Sequence, residues 1–154
     1  MRAREHVVVM GKDHNIPESH LNAIYAACDF GVNASEGEGF GLTHLEQAAA
    51  GVPQIWGQFA GLDSVLKSPD CGVSLVPRTI RMRHFNDDGN LGIAPEVHYE
   101  DIAHAIMDYL LNPDLYLALR ETCLRSARSP AHEWAHVLQP AYDHITHLLE
   151  SNLM

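Results

Sequence analysis

Residues 30–51 hold the arrangement that most narrows the fold. Phe30-Gly31-Val32-Asn33-Ala34 is a short run fit for a strand, and it stops at the turn-rich Ser35-Glu36-Gly37-Glu38-Gly39. From Leu42 to Ala50 the apolar spacing is helical, and Gly51 stands where a C-cap glycine belongs. A strand joined to a helix by a glycine-rich turn is half of a parallel-sheet unit. The helix carries the chain back, so the next strand runs in the same direction.

The rest of the first half repeats this alternation. Val7-Val8-Val9-Met10 is a β-branched run ending at Gly11, and Leu21, Ile24, Tyr25 and Cys28 lie on one face of a helix. Pro53-Gln54-Ile55-Trp56 and Gly72-Val73-Ser74-Leu75-Val76 read as two further strands, with a helical turn or two over Leu62 to Leu66. After Val76 the pattern changes. Residues 77–98 hold three arginines, Asp87-Asp88-Gly89 and several turn formers, so a long connection is expected there. Three helices follow, over about 99–111, 114–127 and 131–150, the first stopped near Asn112-Pro113. The expectation is one α/β domain over 1–154, divided into strand–helix alternation (1–76), loop (77–98) and C-terminal helices (99–154). At 154 residues the chain can bury roughly 70% of its unfolded surface in a single core.

Composition excludes several partners. Acids outnumber bases 20 to 10, a formal charge of −10, which repels a nucleic-acid backbone and an anionic membrane alike. Cys28, Cys71 and Cys123 are odd in number, far apart and set among apolar residues. That pattern fits free buried thiols in a reducing compartment better than a disulfide framework or a zinc knuckle. The apolar run after Met1 is too short for a signal-peptide core, and no run approaches a membrane span. A soluble, cytoplasmic protein is expected.

The segment from Ser35 to Glu46 carries the strongest chemical signal. It leaves the carboxyl end of a presumed parallel strand, the edge where open α/β sheets bind ligands. Gly39 and Gly41 let the backbone approach a ligand closely, and a helix starting near Leu42 offers unpaired N–H groups to phosphate oxygens. Glu38 and Glu46 flank this turn with seven residues between them. Carboxylates beside an anion site repel phosphate, so they serve better as acceptors for sugar hydroxyls. The plainer reading is a tight turn with a capping acid, and spacing alone leaves both open.

The run Glu38-Gly-Phe-Gly-Leu-Thr-His-Leu-Glu46-Gln-Ala-Ala-Ala-Gly51-Val-Pro53 resembles the signature of retaining glycosyltransferases with the GT-B fold, the group-1 or family-four glycosyltransferases. Leu21 to Asp29 resembles the family's helix ending in an Ala-Asp pair, and Phe30 to Ser35 the strand leading to the motif. Gly61-Leu-Asp-Ser-Val resembles its second glycine loop, and Trp134 with Tyr142 the aromatic pair of its last helix. The resemblance covers nearly the whole chain except 77–98. It implies a Rossmann-like three-layer sheet of mostly parallel strands with helices on both faces, as part of a GT-B C-terminal domain.

The resemblance also implies roles. Glu38 becomes the catalytic-centre acid that contacts the donor-sugar hydroxyls, and Glu46 the acceptor for the ribose hydroxyls of the nucleotide. Gly39, Phe40, Gly41 and Leu42 face sugar and diphosphate, and Thr43 adds a hydroxyl to a phosphate. A hexose is transferred from a nucleotide diphosphate sugar with retention, without metal or other cofactor. Nothing in the chain resembles the family's N-terminal domain, nor the first two strands of the C-terminal one, whose loops carry the basic residues that clamp the diphosphate. The expectation is therefore a donor-binding part that does not catalyse alone and needs a missing domain or partner chain. The gap between Val7–Met10 and Phe30–Ala34 would then close by direct pairing of these strands, by donation from a partner chain or by a rearranged edge. A homo-oligomer or a repacked sheet is therefore expected, because an unpaired strand edge invites association.

Other signals compete. A non-catalytic sugar-nucleotide-binding or scaffold module would keep the same residues. His132-Glu133-Trp134-Ala135-His136 matches the His-Glu-x-x-His pattern of zinc hydrolases, with both histidines on one helix face. Against it, the motif begins two residues after Pro130, and Pro140 interrupts the helix beyond it, so no metal residue is assigned. Arg78, Arg81 and Arg83 read as a solvated basic loop or as reaching toward donor phosphate. Asp87-Asp88-Gly89-Asn90 lacks the ligand spacing of a calcium loop and reads as a turn.

Overall fold

The computed structural model describes residues 16–37, 39–58, 60–66, 70–84, 91–130 and 133–151. The expected strand at Val7–Met10, and with it the question of its pairing, lies outside these residues. In chain order the elements are α1 (Glu18–Ala26), β1 (Gly31–Asn33), α2 (Leu42–Ala49), β2 (Gln54–Gly57), α3 (Ala60–Val65), β3 (Gly72–Leu75), β4 (Thr79–His84), β5 (Leu91–Glu96), α4 (Tyr99–Leu111), α5 (Pro113–Ala127) and α6 (Trp134–Ser151).

The first three strands form a parallel sheet in the order β1-β2-β3, as the alternation of strands and helices requires. Their register places Gly31, Gln54 and Gly72 in one row and Val32, Ile55 and Val73 in the next. Every residue of β2 is buried, so both faces of this central strand are covered. The row of two glycines around Gln54 has a steric cause. A Cβ on Gly31 would overlap the side chains of Gln47 and Gln54, and one on Gly72 would overlap the Gln54 backbone. Gly72 also has a φ of 140°, which a side chain would strain.

Trp56 anchors the main core. It packs with Ala48 of α2, Leu62 and Leu66 at α3, Cys71, and Cys123 and Ala127 of α5. Its indole N–H is satisfied by Asp63 Oδ1 at 2.8 Å, and the same oxygen accepts from Ser74 Oγ at 3.0 Å. One carboxylate thus ties α3 to β2 and β3. Gly61 stands inside α3, not in the glycine turn expected from the resemblance, because Leu62, Val65 and Leu66 all reach the core. Cys28, Cys71 and Cys123 form no disulfide; Cys71 and Cys123 are buried and Cys28 is partly buried. At the other end of the sheet Phe30 lies against Tyr109 of α4 and Tyr116 of α5, with ring centroids 5.8 and 5.2 Å apart. The chain breaks between those helices at Asn112-Pro113, as expected, with Pro113 opening α5.

The long connection expected over 77–98 is corrected by the structure. β4 and β5 form an antiparallel pair with Thr79 opposite Glu96, Arg81 opposite Ala94 and Met82 opposite Ile93. The alternation Thr79-Ile80-Arg81-Met82 has the two-residue period of a strand, which places Arg81 on the same face as Ala94. Arg81 pairs with Glu96 at 2.9 Å, and Arg78, just ahead of β4, bonds Asp101 and lies 3.5 Å from Glu100. Ala94 is buried, whereas Ile80, Met82 and Ile93 on the opposite face are exposed. Among the described residues no helix is long and apolar enough to cross a membrane. The side chain of Trp134 lies outside the description, and Tyr142 is exposed.

Candidate functional site

The chain leaves β1 at Asn33, whose buried side chain accepts from the Ser35 N–H at 2.7 Å and turns the backbone out of the sheet. After seven intervening residues it enters α2 through Gly41, held at φ 76° and ψ 42° as the N-cap. That left-handed geometry suits glycine and would strain a side chain. The Gly41 carbonyl accepts from the His44 and Leu45 N–H groups at 3.0 and 3.2 Å, which closes the first turn. No side chain caps this terminus and its first turn holds no acid. The amino end of α2, with its positive partial charge, therefore opens at the carboxyl edge of the parallel sheet.

Around it the expected residues are arranged by the helix period. Leu45, Ala48 and Ala49 pack on the core. Thr43 and Glu46, three apart, share a solvent-exposed side of the helix. Gly39, Phe40 and Leu42 are exposed at the mouth of the turn, and Gly41 is buried beneath them. Glu38, the expected catalytic acid, lies outside the described residues.

Sequence reasoning missed two neighbours of this turn. Tyr25 of α1 is 7% exposed and donates its hydroxyl to Glu46 Oε2 at 3.2 Å. Burial pushes its phenol above the ordinary value, the Glu46 charge and hydrogen bond add to this, and the Thr43 side chain works the other way. Tyr25 looked like one more member of a helix face, so nothing in its spacing marked it. The second neighbour is Gln54, fully buried, whose Oε1 lies 2.9 Å from His44 Nδ1 while its Nε2 donates to the Val52 carbonyl at 2.8 Å. With the amide so oriented, His44 carries its hydrogen on Nδ1 and donates. A lone amide in the apolar run Val52–Trp56 was the available signal, because a buried polar side chain needs a partner.

The other candidates stand apart from this turn. Arg78 and Arg81 engage carboxylates on the hairpin and α4. A cavity of about 480 Å³ lies beside β3, bordered by Ser74, Arg78, Asp101, His104 and Asp108, and includes none of the residues of the turn. His132 is outside the described residues, and among those described no group of three or more His, Cys, Asp or Glu is placed to hold a metal ion.

The arrangement can hold an anion at the amino end of α2 and hydrogen-bond hydroxyl groups at Glu46, one turn further in. A family model described as "Glycosyl transferases group 1" matches residues 2–87, more than half of the chain, and spans β1, the turn and α2. No curated protein matches the chain.

Proposed function

This chain belongs to the glycosyl transferases group 1 family, and from that premise we propose that residues 38–46 bind the donor of a retaining transfer, a nucleotide diphosphate hexose. The observation that supports this best is the amino end of α2. It carries no side-chain cap and no acid in its first turn, and it shows Thr43 and Glu46 to solvent on one side.

The residues of the turn divide the donor among them. The diphosphate sits against the opening N–H groups of α2, where the helix dipole favours negative charge, with Gly39, Phe40, Gly41 and Leu42 along the sugar and diphosphate and the Thr43 hydroxyl on a phosphate. Glu46 lies a turn deeper, away from the phosphates, and accepts from ribose hydroxyls. Glu38 takes the hydroxyls of the transferred sugar near its anomeric carbon. In transfer, the bond from that carbon to the diphosphate oxygen breaks, one to an acceptor hydroxyl oxygen forms, and the hydroxyl proton passes to the departing diphosphate. The charge left on the diphosphate is stabilised by the same fixed N–H dipoles, which need no reorganisation. In this reading the nucleotide sugar is a substrate, and metal and other cofactors take no part. The acceptor is held by a further domain or partner chain.

Calorimetric titration with UDP, GDP, ADP and their sugars tests the reading. One nucleotide is expected to bind, and Glu46→Ala to weaken it about 10- to 100-fold, the cost of a hydrogen bond to a charged group. Absence of binding by every nucleotide overturns donor binding. Turnover by this chain alone, with acceptor supplied, overturns the assignment of the acceptor side elsewhere.

A further inference from the structure

We infer that Tyr25 is a positioning residue for the Glu46 carboxylate. The inference rests on the proposal that Glu46 accepts from the ribose, and it adds a residue from a different element to that site. Glu46 stands on the exposed side of α2, where a glutamate ordinarily samples several rotamers in water. Here its Oε2 accepts from the Tyr25 hydroxyl at 3.2 Å, and the Tyr25 ring is itself buried. The phenol thus holds Glu46 beside Thr43, the exposed pair that the proposal aims at the ribose and the phosphate.

This geometry has two consequences. With Oε2 engaged by a rigid donor, the carboxylate plane is set, and Oε1 makes no hydrogen bond among the described residues. A ribose hydroxyl donor therefore meets an acceptor whose rotamer entropy is already spent, the advantage of preorganisation. In addition, a tyrosine donates here without bringing positive charge. An arginine or lysine partner would instead set a cation against the carboxylate and offset its pull on a second donor.

The test is a matched pair of ligands on the intact chain: the nucleoside diphosphate that binds, and its 2′,3′-dideoxy form. Tyr25→Phe keeps the buried ring and removes only the donor. It is expected to weaken the complete nucleotide about 3- to 10-fold, to leave the dideoxy form unchanged, and to have no further effect once Glu46→Ala is present. Glu46→Ala serves as the control for the underlying reading. If it weakens the complete nucleotide but not the dideoxy form while Tyr25→Phe changes neither, Tyr25 alone is excluded. Equal weakening of both ligands by Tyr25→Phe shows a merely structural role and also overturns the inference. If Glu46→Ala itself does not distinguish the ligands, the ribose role of Glu46 falls and Tyr25 with it.

Discussion

The row Gly31, Gln54, Gly72 shows how single residues set this sheet. Gln54 is fully buried with its amide bonded at both ends, by His44 and by the Val52 carbonyl. Residue 54 lies where side chains of the flanking strands would stand, through its side chain at Gly31 and its backbone at Gly72, so both neighbours are glycine. The two positions differ in what blocks them. At Gly31 the obstacle is two side-chain amides, which give by rotation; at Gly72 it is backbone, and φ is positive as well. Gly31→Ala is therefore expected to cost about 1–3 kcal/mol, and Gly72→Ala about 3–5 kcal/mol, from overpacking plus backbone strain. Urea unfolding of the two variants checks the order, and equal midpoints would contradict the account. The sequence shows these glycines at strand starts but not their reason, because the row exists only once three strands are in register.

At the scale of elements, α3 is the shortest helix, and Asp63 fastens it. A helix of six residues has little stability of its own. It is held by Leu62 and Leu66 in the core and by the Asp63 carboxylate under the Trp56 indole and the Ser74 hydroxyl. Removing that acceptor leaves a buried indole N–H unpaired. Asp63→Ala is expected to destabilise by about 1–3 kcal/mol, and Asp63→Asn, which keeps a carbonyl oxygen, by about 1 kcal/mol or less. Thermal melts of the two variants, with near-ultraviolet dichroism to follow Trp56, measure this. The hairpin β4–β5 is the element the sequence hid. Its arginines and nearby turn formers look like a loop, and its apolar residues Ile80, Met82 and Ile93 lie on an exposed face, so the alternation in β4 does not mark a buried side. Arg78 and Arg81 pair with carboxylates near solvent, and replacing either with alanine is expected to leave the urea midpoint nearly unchanged.

For the molecule as a whole, three titratable groups, Cys123, Tyr109 and Tyr25, are shifted in one direction. Hydrogen bonding by the neighbouring Cys71 thiol, burial, and the Cys71 charge push the Cys123 thiol above its ordinary 9.0. Burial and the adjacent Asp108 push the Tyr109 phenol above 10.0, and burial with Glu46 does the same at Tyr25. A group raised on folding contributes stability that is fully present below its unfolded pKa and lost as pH rises through the folded one. Here the unfolded chain releases these protons first. Stability from this source is expected to be flat from pH 7 to 8 and to decline above about pH 9, first through the thiol and then the phenols. Urea midpoints across that range test it, and a midpoint that rises toward pH 10 contradicts it.

What the sequence determined by itself was periodicity and punctuation. The parallel order of three strands, the helix from Leu42, the left-handed Gly51 just beyond it and the break at Asn112-Pro113 all stem from local spacing and backbone sterics, which act over a few residues. The glycine-rich turn with Thr43 and Glu46 was legible for the same reason: strand, turn and helix are contiguous in the chain. Tertiary structure alone decided what meets that turn from a distance. Tyr25 reaches Glu46 across 21 positions, and Gln54 reaches His44 across 10 from a neighbouring strand. Those contacts depend on how α1 and β2 pack against α2. Packing is settled by the whole buried surface at once, and no short stretch of residues encodes it.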